Sequence, residues 1–301
     1  MADGKKFDLS PWEKYQALLK ENYSLKAENK KLKAQLGIDH HRTDPSAVVN
    51  NEKPIHVAIK NFKAEEKIKL FMSLFKGRDD VYAKRWQNKE GKSGYSPACL
   101  NEWKPGICNK PKIKCANCAN QFFVVLNEKV IEDHLKGNMV VGLYPMCTDD
   151  TCSFLAIDFD GDDWQKDIAV LRNTCGEFDI PVAIERSRSG NGAHVWFFFE
   201  HQISAALARK FGTSLLTCSM SKRHEIKFKS YDRFFPNQNT MPKGGFGNLI
   251  AMPLQMAARK NGNSVFVGED FKPYADQLDF LNSIKKLSEE RIESLITTLS
   301  H

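Results

Sequence analysis

The sequence predicts a domain of the α/β or α+β class, built from a sheet with helices packed on it. Apolar runs of strand length occur at residues 140–144, 153–160, 182–186, 193–199 and 248–252. Helical periodicity occurs at 164–178 and 203–220, and the tail at 275–300 has the pattern of two helices or one broken helix. Because strands that alternate with helices pack in layers around a common core, we expect such a core from about residue 140 onward.

The composition is that of a globular chain. Its 301 residues are 42% hydrophobic and 27% charged, enough for one large domain or two modest ones. The sequence has neither an apolar run of about 18 residues nor the apolar core of a signal peptide, so we expect a cytoplasmic protein without a membrane span. The net charge of +7 permits nucleic-acid binding without indicating it. Eight cysteines in such a chain favour metal ligation or free thiols over disulfides.

Residues 11–36 follow a heptad pattern with leucine at one seam position and mainly asparagine at the other. The two sets are Leu18, Leu25 and Leu32, and Tyr15, Asn22, Asn29 and Leu36. This pattern is typical of a parallel two-stranded coiled coil and predicts a homodimer, although about three heptads also fit a single solvated helix. We therefore assign 1–40 to an N-terminal helix and the polar stretch 41–64 to a linker.

Residues 65–139 are predicted to form a helical segment that carries a cysteine cluster. A helix begins at Glu65 and ends at Gly77, and a second one covers 127–136. Arg78–Trp86 is basic and aromatic, a composition that suits contact with a single nucleic-acid strand by charge and stacking.

Four cysteines between these helices have the spacing of a structural zinc site. They are Cys99, Cys108, Cys115 and Cys118, of which the last two form a Cys-x2-Cys knuckle. Four thiolates leave no open position for a substrate, so the zinc would be structural. Two alternatives remain: Cys115 and Cys118 are unliganded thiols in a turn, or His134 replaces one ligand.

The strongest signal for chemistry is a strand that ends in two carboxylates, Asp158 and Asp160. Side chains two residues apart on a strand share a face, and a divalent cation relieves the repulsion between two such carboxylates. We expect Mg²⁺ or Mn²⁺ here. Capping of a helix near Asp163 is one alternative. A calcium loop with Asp162 is another, but Ala169 stands where its twelfth residue requires glutamate.

A Gly-rich turn with flanking basic residues predicts a phosphate site next to that metal site. The residues assigned to nucleotide binding are Arg186, Arg188, Ser189, Gly190, Gly192 and His194. A flexible hairpin turn is the alternative for this segment. A second Gly-rich loop contains Lys243, which is either a phosphate ligand or a solvated side chain.

Asp232 is the candidate for a third metal ligand. Its alternative is an ordinary loop aspartate paired with Arg233, and Glu225 competes with it for the same role.

Taken together, these segments resemble the archaeo-eukaryotic primase, or prim-pol, superfamily, and most closely its TOTE conflict system and CRISPR-associated members. The likeness covers roughly 68–285 and is carried by Gly77–Trp86, the cysteine segment, Phe154–Asp160, Glu185–His194, Tyr231–Gln238 and Pro242–Gln255. The resemblance implies an α+β fold with an RRM-like catalytic core at 140–285, a zinc-knuckle insertion, and a C-terminal helix at 286–301. Asp158 and Asp160 match its first metal motif, His194 matches the histidine that contacts the incoming triphosphate, and Asp232 is our match to its third motif.

The resemblance also implies an activity and its partners. The activity is template-directed nucleotidyl transfer at a two-metal magnesium or manganese site, in primer synthesis, primer extension or both. The partners are a single-stranded DNA template with its primer, nucleoside triphosphates, and a helicase or nuclease on separate chains. The pathway would be mobile-element defence or replication. A non-catalytic, zinc-stabilised nucleic-acid-binding module and a metal-dependent nuclease are the alternatives.

Overall fold

The computed structural model describes residues 28, 31, 32, 63–222 and 229–300. The chain divides into two compact units, Met1–Ala58 and Ile59–His301. Glu28, Lys31 and Leu32 are helical. The predicted coiled coil, its dimer and the linker otherwise lie outside the described residues. Among the helices that are described, none combines the length and apolarity needed to cross a bilayer.

Helices and strands are interspersed along the described chain. The helices are α1 (Ala64–Leu74), α2 (Glu128–Lys136), α3 (Trp164–Glu177), α4 (Ala205–Ser221), α5 (Met256–Arg259), α6 (Gln277–Ser283) and α7 (Glu289–Leu299). The strands are β1 (Ala83–Gln87), β2 (Ser93–Pro97), β3 (Val141–Leu143), β4 (Thr151–Asp160), β5 (Ala183–Arg186), β6 (Gly192–Ser204), β7 (Tyr231–Phe235), β8 (Ile250–Ala251) and β9 (Val265–Phe266). A 3₁₀ turn covers Cys115–Asn117.

The larger sheet has five antiparallel strands in the order β7-β4-β6-β5-β9. Its elements β4-α3-β5-β6-α4-β7 follow one another as βαββαβ, the ferredoxin-like order, and the first and last strands of this segment, β4 and β7, are neighbours in the sheet. The α+β class and the RRM-like core are therefore confirmed at the level of topology.

The two faces of β4 pack against different layers. Leu155, Ile157 and Phe159 belong to a core formed with helices α3, α4 and α7. Phe154 and Ala156 belong to a second core formed with α1, α2 and the smaller sheet. Because side chains alternate along a strand, the face of Phe154 and Ala156 continues into Asp158 and Asp160 at the end of β4. The carboxylates thus lie where this second core stops.

The smaller sheet has four antiparallel strands in the order β2-β1-β3-β8. Ala83 of β1 pairs with Gly142 of β3, and Gly142 pairs with Ala251 of β8. Strands from both sides of the expected boundary at 139/140 therefore share one sheet.

Most predicted elements are confirmed, and the differences concern short or polar strands. The tail forms two helices, α6 and α7, and β6 continues to Ser204, beyond the predicted end at 199. Strands β1, β2, β7 and β9 were not predicted. The segment 65–139 is consequently not purely helical, since β1 and β2 lie inside it.

Candidate active site

Three aspartates meet at one end of the larger sheet. Asp158 and Asp160 are at the end of β4, and Asp232 is the second residue of β7. Each offers a carboxylate oxygen, and these oxygens lie within 4.8 Å of one another. Within the described residues, this is the one set of three or more His, Cys, Asp or Glu side chains that meets this distance. Carboxylate oxygens are the ligands that Mg²⁺ and Mn²⁺ prefer, so the set can hold a divalent ion.

A β-bulge in β7 turns Asp232 toward the other two carboxylates. Phe234 and Phe235 pack in the cores on opposite faces of the sheet, and regular alternation would place Asp232 on the face of Phe234. Instead, the pairing register shifts between Asp158 and Phe159, and Asp232 is the residue of β7 left without a partner on β4. An extra residue at a bulge re-aims its side chain, which explains how Asp232 joins the site.

Asp158 is the most enclosed of the three aspartates, with its side chain 13% exposed. Burial raises the pKa of Asp158 to about 6, helped by the charges of Asp160 and Asp232 and opposed by His194. Three carboxylates this close repel one another, and a bound cation would relieve that repulsion.

Gly192 allows β6 to pass close to Asp160, its partner across the β4–β6 ladder. A Cβ at this position would lie 2.3 Å from the carbonyl oxygen of Phe159 and 2.5 Å from Oδ1 of Asp160. Any side chain at Gly192 would therefore displace one of the carboxylates. The sequence placed this glycine in the phosphate loop, and the structure adds a steric role at the aspartates.

The turn between β5 and β6 brings Ser189 and Gly190 to the same end of the sheet. Gly190 has a φ of +82° and its N–H donates to the carbonyl of Ser187 at 3.0 Å. The hydroxyl of Ser189 accepts from the N–H of Asn191 at 3.3 Å and is exposed. Binding of phosphate by this turn stays a prediction.

His194 lies beside Asp158 and is held by a buried glutamate. Its Nδ1 is 2.9 Å from Oε2 of Glu185, and its Nε2 is 3.6 Å from Oδ1 of Asp158. Glu185 is 1% exposed and also accepts from Trp196 Nε1 at 3.1 Å and from the hydroxyl of Ser264 at 3.2 Å. Burial lowers the pKa of His194, but the charge and hydrogen bond of Glu185, with the charges of Asp158 and Asp160, outweigh burial, and the net pKa is raised. Glu185, to which the sequence assigned no role, thus directs Nε2 toward the aspartates.

The two arginines of the predicted phosphate site diverge. Strand alternation puts Arg186 on the opposite face of the sheet from the aspartates. There its guanidinium donates to the carbonyls of Gly262 at 3.1 Å and Phe271 at 2.7 Å. Arg188 instead lies close to the hydroxyl of Tyr95 on β2, where its charge opposes the larger effect of burial, which raises the pKa of that group. Nucleotide binding by both arginines stays a prediction, and the placement of Arg186 weighs against it.

Lys243 is exposed on the second Gly-rich loop, 242–247. The loop is fixed by Arg78, which donates to the carbonyl of Gly245 at 3.0 Å and pairs with both carboxylate oxygens of Asp80. A phosphate contact from Lys243 stays a prediction.

Arg233 adds a positive charge at the edge of the acidic site. Its Nε and Nη2 each lie 2.6 Å from Oδ2 of Asp232. The alternative interpretation of Asp232 predicted this ion pair, and the pair is present. That interpretation was wrong about the loop, since Asp232 lies on a strand and belongs to the aspartate set.

The competing interpretations of the acidic cluster find less support. Asp163 occupies the N-cap position of α3, but its side chain makes no capping hydrogen bond and pairs with Lys166 instead, so capping does not account for Asp158 and Asp160. Asp162, which the calcium loop requires, is not part of the set of close carboxylates in the described chain. Glu225 lies outside the described residues.

A comparison with known families identifies the chain. The profile of the archaeo-eukaryotic primase domain of TOTE conflict systems matches residues 66–295. The chain belongs to this family. Its acidic cluster fits the divalent metal site that is typical of such primase domains, and membership suggests nucleotidyl transfer.

Two solved structures are similar to this primase-family chain. One is the polymerase domain of Mycobacterium tuberculosis ligase D in complex with DNA, at 11% identity and a TM-score of 0.37, covering 79% of this chain and 89% of that chain. The other is the primase-polymerase domain of cyanophage S-2L, at 9% identity and a TM-score of 0.34, covering 77% and 97%. No curated protein matches the chain significantly.

The four cysteines of this primase-family chain line one small pocket of about 20 Å³, roughly the room for one water-sized sphere. The residues are Cys99, Cys108, Cys115 and Cys118. All four are half-buried free thiols, but among the described side chains no three of their sulfur atoms meet the 4.8 Å distance that the aspartates meet. The pocket agrees with a metal site in its residues and size, and zinc stays a prediction.

His134 is not placed as a zinc ligand. It is fully buried on α2, where Nδ1 accepts from the N–H of Val141 at 3.1 Å and Nε2 lies 2.9 Å from the carbonyl oxygen of Pro253. Both ring nitrogens are therefore engaged by the backbone, and Nε2 carries the proton. Burial lowers the pKa of His134 to about 4, so it is a neutral core residue at physiological pH.

Proposed function

We propose that this chain is a DNA primase-polymerase that transfers nucleotides to a primer end under the direction of a single-stranded DNA template. The observation that supports it is the set of Asp158, Asp160 and Asp232 on the face of the RRM-like sheet that also carries His194, in a chain of the primase family. Primer synthesis, primer extension or both belong to the proposal.

The three aspartates are the proposed ligands of two Mg²⁺ or Mn²⁺ ions. Bound ions of this kind neutralise triphosphate charge and lower the pKa of an attacking hydroxyl. Asp158 and Asp160 together would hold the ions, and Asp158 is the carboxylate that also faces His194, with 3.6 Å between Oδ1 and Nε2. Gly192 keeps Asp160 in place by leaving it room, and the bulge keeps Asp232 turned inward.

His194 is the proposed contact for the incoming triphosphate. Glu185 accepts from Nδ1–H, which leaves Nε2 free to donate toward an anion at the acidic site. The raised pKa of His194 favours the protonated ring, which is the better partner for phosphate oxygens. Ser189, Gly190, Arg188 and Lys243 are proposed to complete the nucleotide site from the two Gly-rich loops.

The cysteine pocket is proposed to hold a structural zinc ion that organises the segment 99–118. We further propose an N-terminal helix that pairs two chains, a linker at 41–64, and cytoplasmic action alongside a separate helicase or nuclease in mobile-element defence or replication.

Incubation with a template, a labelled primer, nucleoside triphosphates and Mn²⁺ tests the proposal. Template-dependent lengthening of the primer is the expected result. A shortened template would instead assign the aspartates to a nuclease, and binding without any new product would leave a non-catalytic module. Either of these results overturns the proposed transfer activity.

A further inference from the structure

A groove of about 680 Å³ lies between the β1–β2 hairpin and the cysteine segment. Its lining is basic and aromatic. The residues that matter here are Lys84, Arg85, Trp86, Trp103, Lys110 and Lys114. None of them belongs to the aspartate site. Lys84, Arg85 and Trp86 lie on the hairpin, and Trp103, Lys110 and Lys114 form the opposite wall on the cysteine segment.

Trp103 holds a conformation that a bulky residue rarely adopts. Its φ is 60°, in the left-handed region that is disfavoured for every residue with a Cβ. Trp103 is 65% exposed, so burial of the ring does not offset this strain, and the ring's cationic neighbour is Lys110, whose Nζ lies 5.8 Å from the ring centroid. Strained residues of this kind cluster at active sites and ligand clamps.

Trp86 is held in place by a glycine on the neighbouring strand of the same hairpin. Trp86 of β1 pairs with Gly94 of β2, and a Cβ on Gly94 would lie 2.8 Å from Cζ2 of the indole. The ring therefore lies directly against the backbone of β2 while its side chain stays 41% exposed. This arrangement orients one aromatic ring before any ligand arrives.

Glu102 ties the two walls together. Its Oε1 accepts from Ser96 of β2 at 3.1 Å and from the ammonium of Lys110 at 2.7 Å. Glu102 is also the one carboxylate among the residues that line the groove, against four cations. The groove lining thus has a net positive charge, and the contacts of Glu102 fix the distance between its walls.

We infer that this groove binds a single-stranded polynucleotide, with the bases stacked on Trp86 and Trp103 and the phosphates along the lysines and Arg85. Unpaired bases offer faces to exposed rings, and a backbone of phosphates matches the positive lining, whereas the bases of a duplex are already stacked on one another. The inference rests on the proposed function only for the strand's role as template, because binding in the groove needs neither the aspartates nor their metal.

The test is binding of a fluorescently labelled oligonucleotide of about 16 residues, followed by anisotropy with no added magnesium, manganese or nucleotide. Trp103→Gly and Trp86→Ala are each expected to weaken binding of oligo-dT by about 5- to 100-fold. Trp103→Gly also relieves the left-handed strain, so its thermal midpoint should be equal to or above that of the wild type. A loss of affinity without a loss of stability separates a ligand contact from a structural role.

Matched variants define the groove. Phe122 follows the cysteine segment, is 60% exposed and does not line the groove, so Phe122→Ala should keep its affinity within about twofold of the wild type. Gly94→Ala should weaken binding by displacing Trp86, and it should add little to Trp86→Ala in the double variant. Asp158→Asn should bind the oligonucleotide as the wild type does, so a failure of transfer activity and a failure of the groove are distinguishable.

The experiment compares the affinities for oligo-dT, oligo-U and a blunt duplex. Tighter binding of either single strand than of the duplex supports the inference, and the tighter of the two identifies the sugar. Wild-type affinity in both tryptophan variants, or equal binding of the duplex and the single strands, would overturn it.

Discussion

The aspartate site and the cysteine pocket are both metal sites predicted from sequence, and they differ in how closely the fold brings their ligand atoms together. Sheet register brings three carboxylates within 4.8 Å of one another, although Asp232 is far from Asp158 along the chain. The cysteines lie on irregular backbone, apart from an isolated bridge at Cys99 and a 3₁₀ turn that begins at Cys115, and they share a pocket without reaching that distance. Ligands on a sheet are placed by backbone hydrogen bonds before an ion binds, whereas ligands on turns depend on the ion to fix them.

The largest effect is expected at the third corner of the aspartate site. Asp232→Asn should reduce the rate of primer extension on the order of 1,000-fold, because metal ligation contributes several kcal/mol of transition-state stabilisation. Asp162→Asn, an exposed aspartate in the adjacent turn, is the matched control and should keep the wild-type rate. If Glu225→Gln abolished extension and Asp232→Asn did not, the third ligand would be Glu225.

At the cysteine pocket we expect an effect on stability and metal content. Cys115→Ser should remove one zinc ion per chain, measured by mass spectrometry of the metal, and lower the thermal midpoint, since bound zinc contributes folding free energy. Cys218→Ser alters a half-buried thiol on α4, outside the pocket, and should leave the zinc content unchanged. A wild-type protein purified without zinc, and insensitive to chelators, would contradict the zinc proposal.

The pH dependence of stability tests whether His134 is a core residue or a ligand at the cysteine pocket. Its pKa falls from 6.5 to about 4 on folding, so the unfolded chain takes up the proton first as the pH drops. The stability that the neutral ring contributes is complete above about pH 6.5 and is lost toward about pH 4. Between about pH 7.5 and about pH 5, the free energy of unfolding should therefore fall by about 2 kcal/mol.

Chemical denaturation of the wild type and His134→Gln at these two pH values measures this difference. The variant should lose that part of the pH dependence and retain zinc. Exposed His201→Gln serves as the control. Loss of zinc from His134→Gln would instead return His134 to the ligand set.

A smaller effect is expected from the glutamate behind His194. Glu185→Gln should reduce extension by about 10- to 100-fold, the usual range for a residue that orients another at a metal site. The loss should appear mainly in the KM for nucleotide if His194 binds the triphosphate. Since Glu185 also supports Trp196 and Ser264, an equal loss of thermal stability would indicate a structural role instead.

The parts of the fold that the sequence predicted correctly are mainly long apolar segments. Strand β4 and helices α3 and α4 have clear periodicity, and their bounds agree with the prediction within a few residues. Strand β1 contains Lys84, Arg85 and Trp86, and β7 begins with three exposed residues, so neither has an apolar run. Such strands form because a neighbouring strand offers hydrogen bonds, which local sequence does not encode.

The site residues likewise divide into those that the local sequence predicts and those that it does not. Asp158 and Asp160 were predictable because strand alternation puts them on one face. Asp232 came from the family resemblance, since a bulge between strands that are distant in sequence cannot be derived from spacing. Glu185 was missed because a single carboxylate at the end of an apolar strand resembles a residue at a solvated strand end, although its burial makes it the support of His194.

Asp158→Ala provides the most direct test of the aspartate site as the catalytic centre. Primer extension with Mn²⁺ is measured for the wild type and for this variant, after circular dichroism has shown that both are folded. The account predicts template-dependent extension by the wild type and none detectable by Asp158→Ala, with a thermal midpoint at least as high, because a buried member of a like-charged cluster is removed. A folded Asp158→Ala protein that extends primers at the wild-type rate would contradict it.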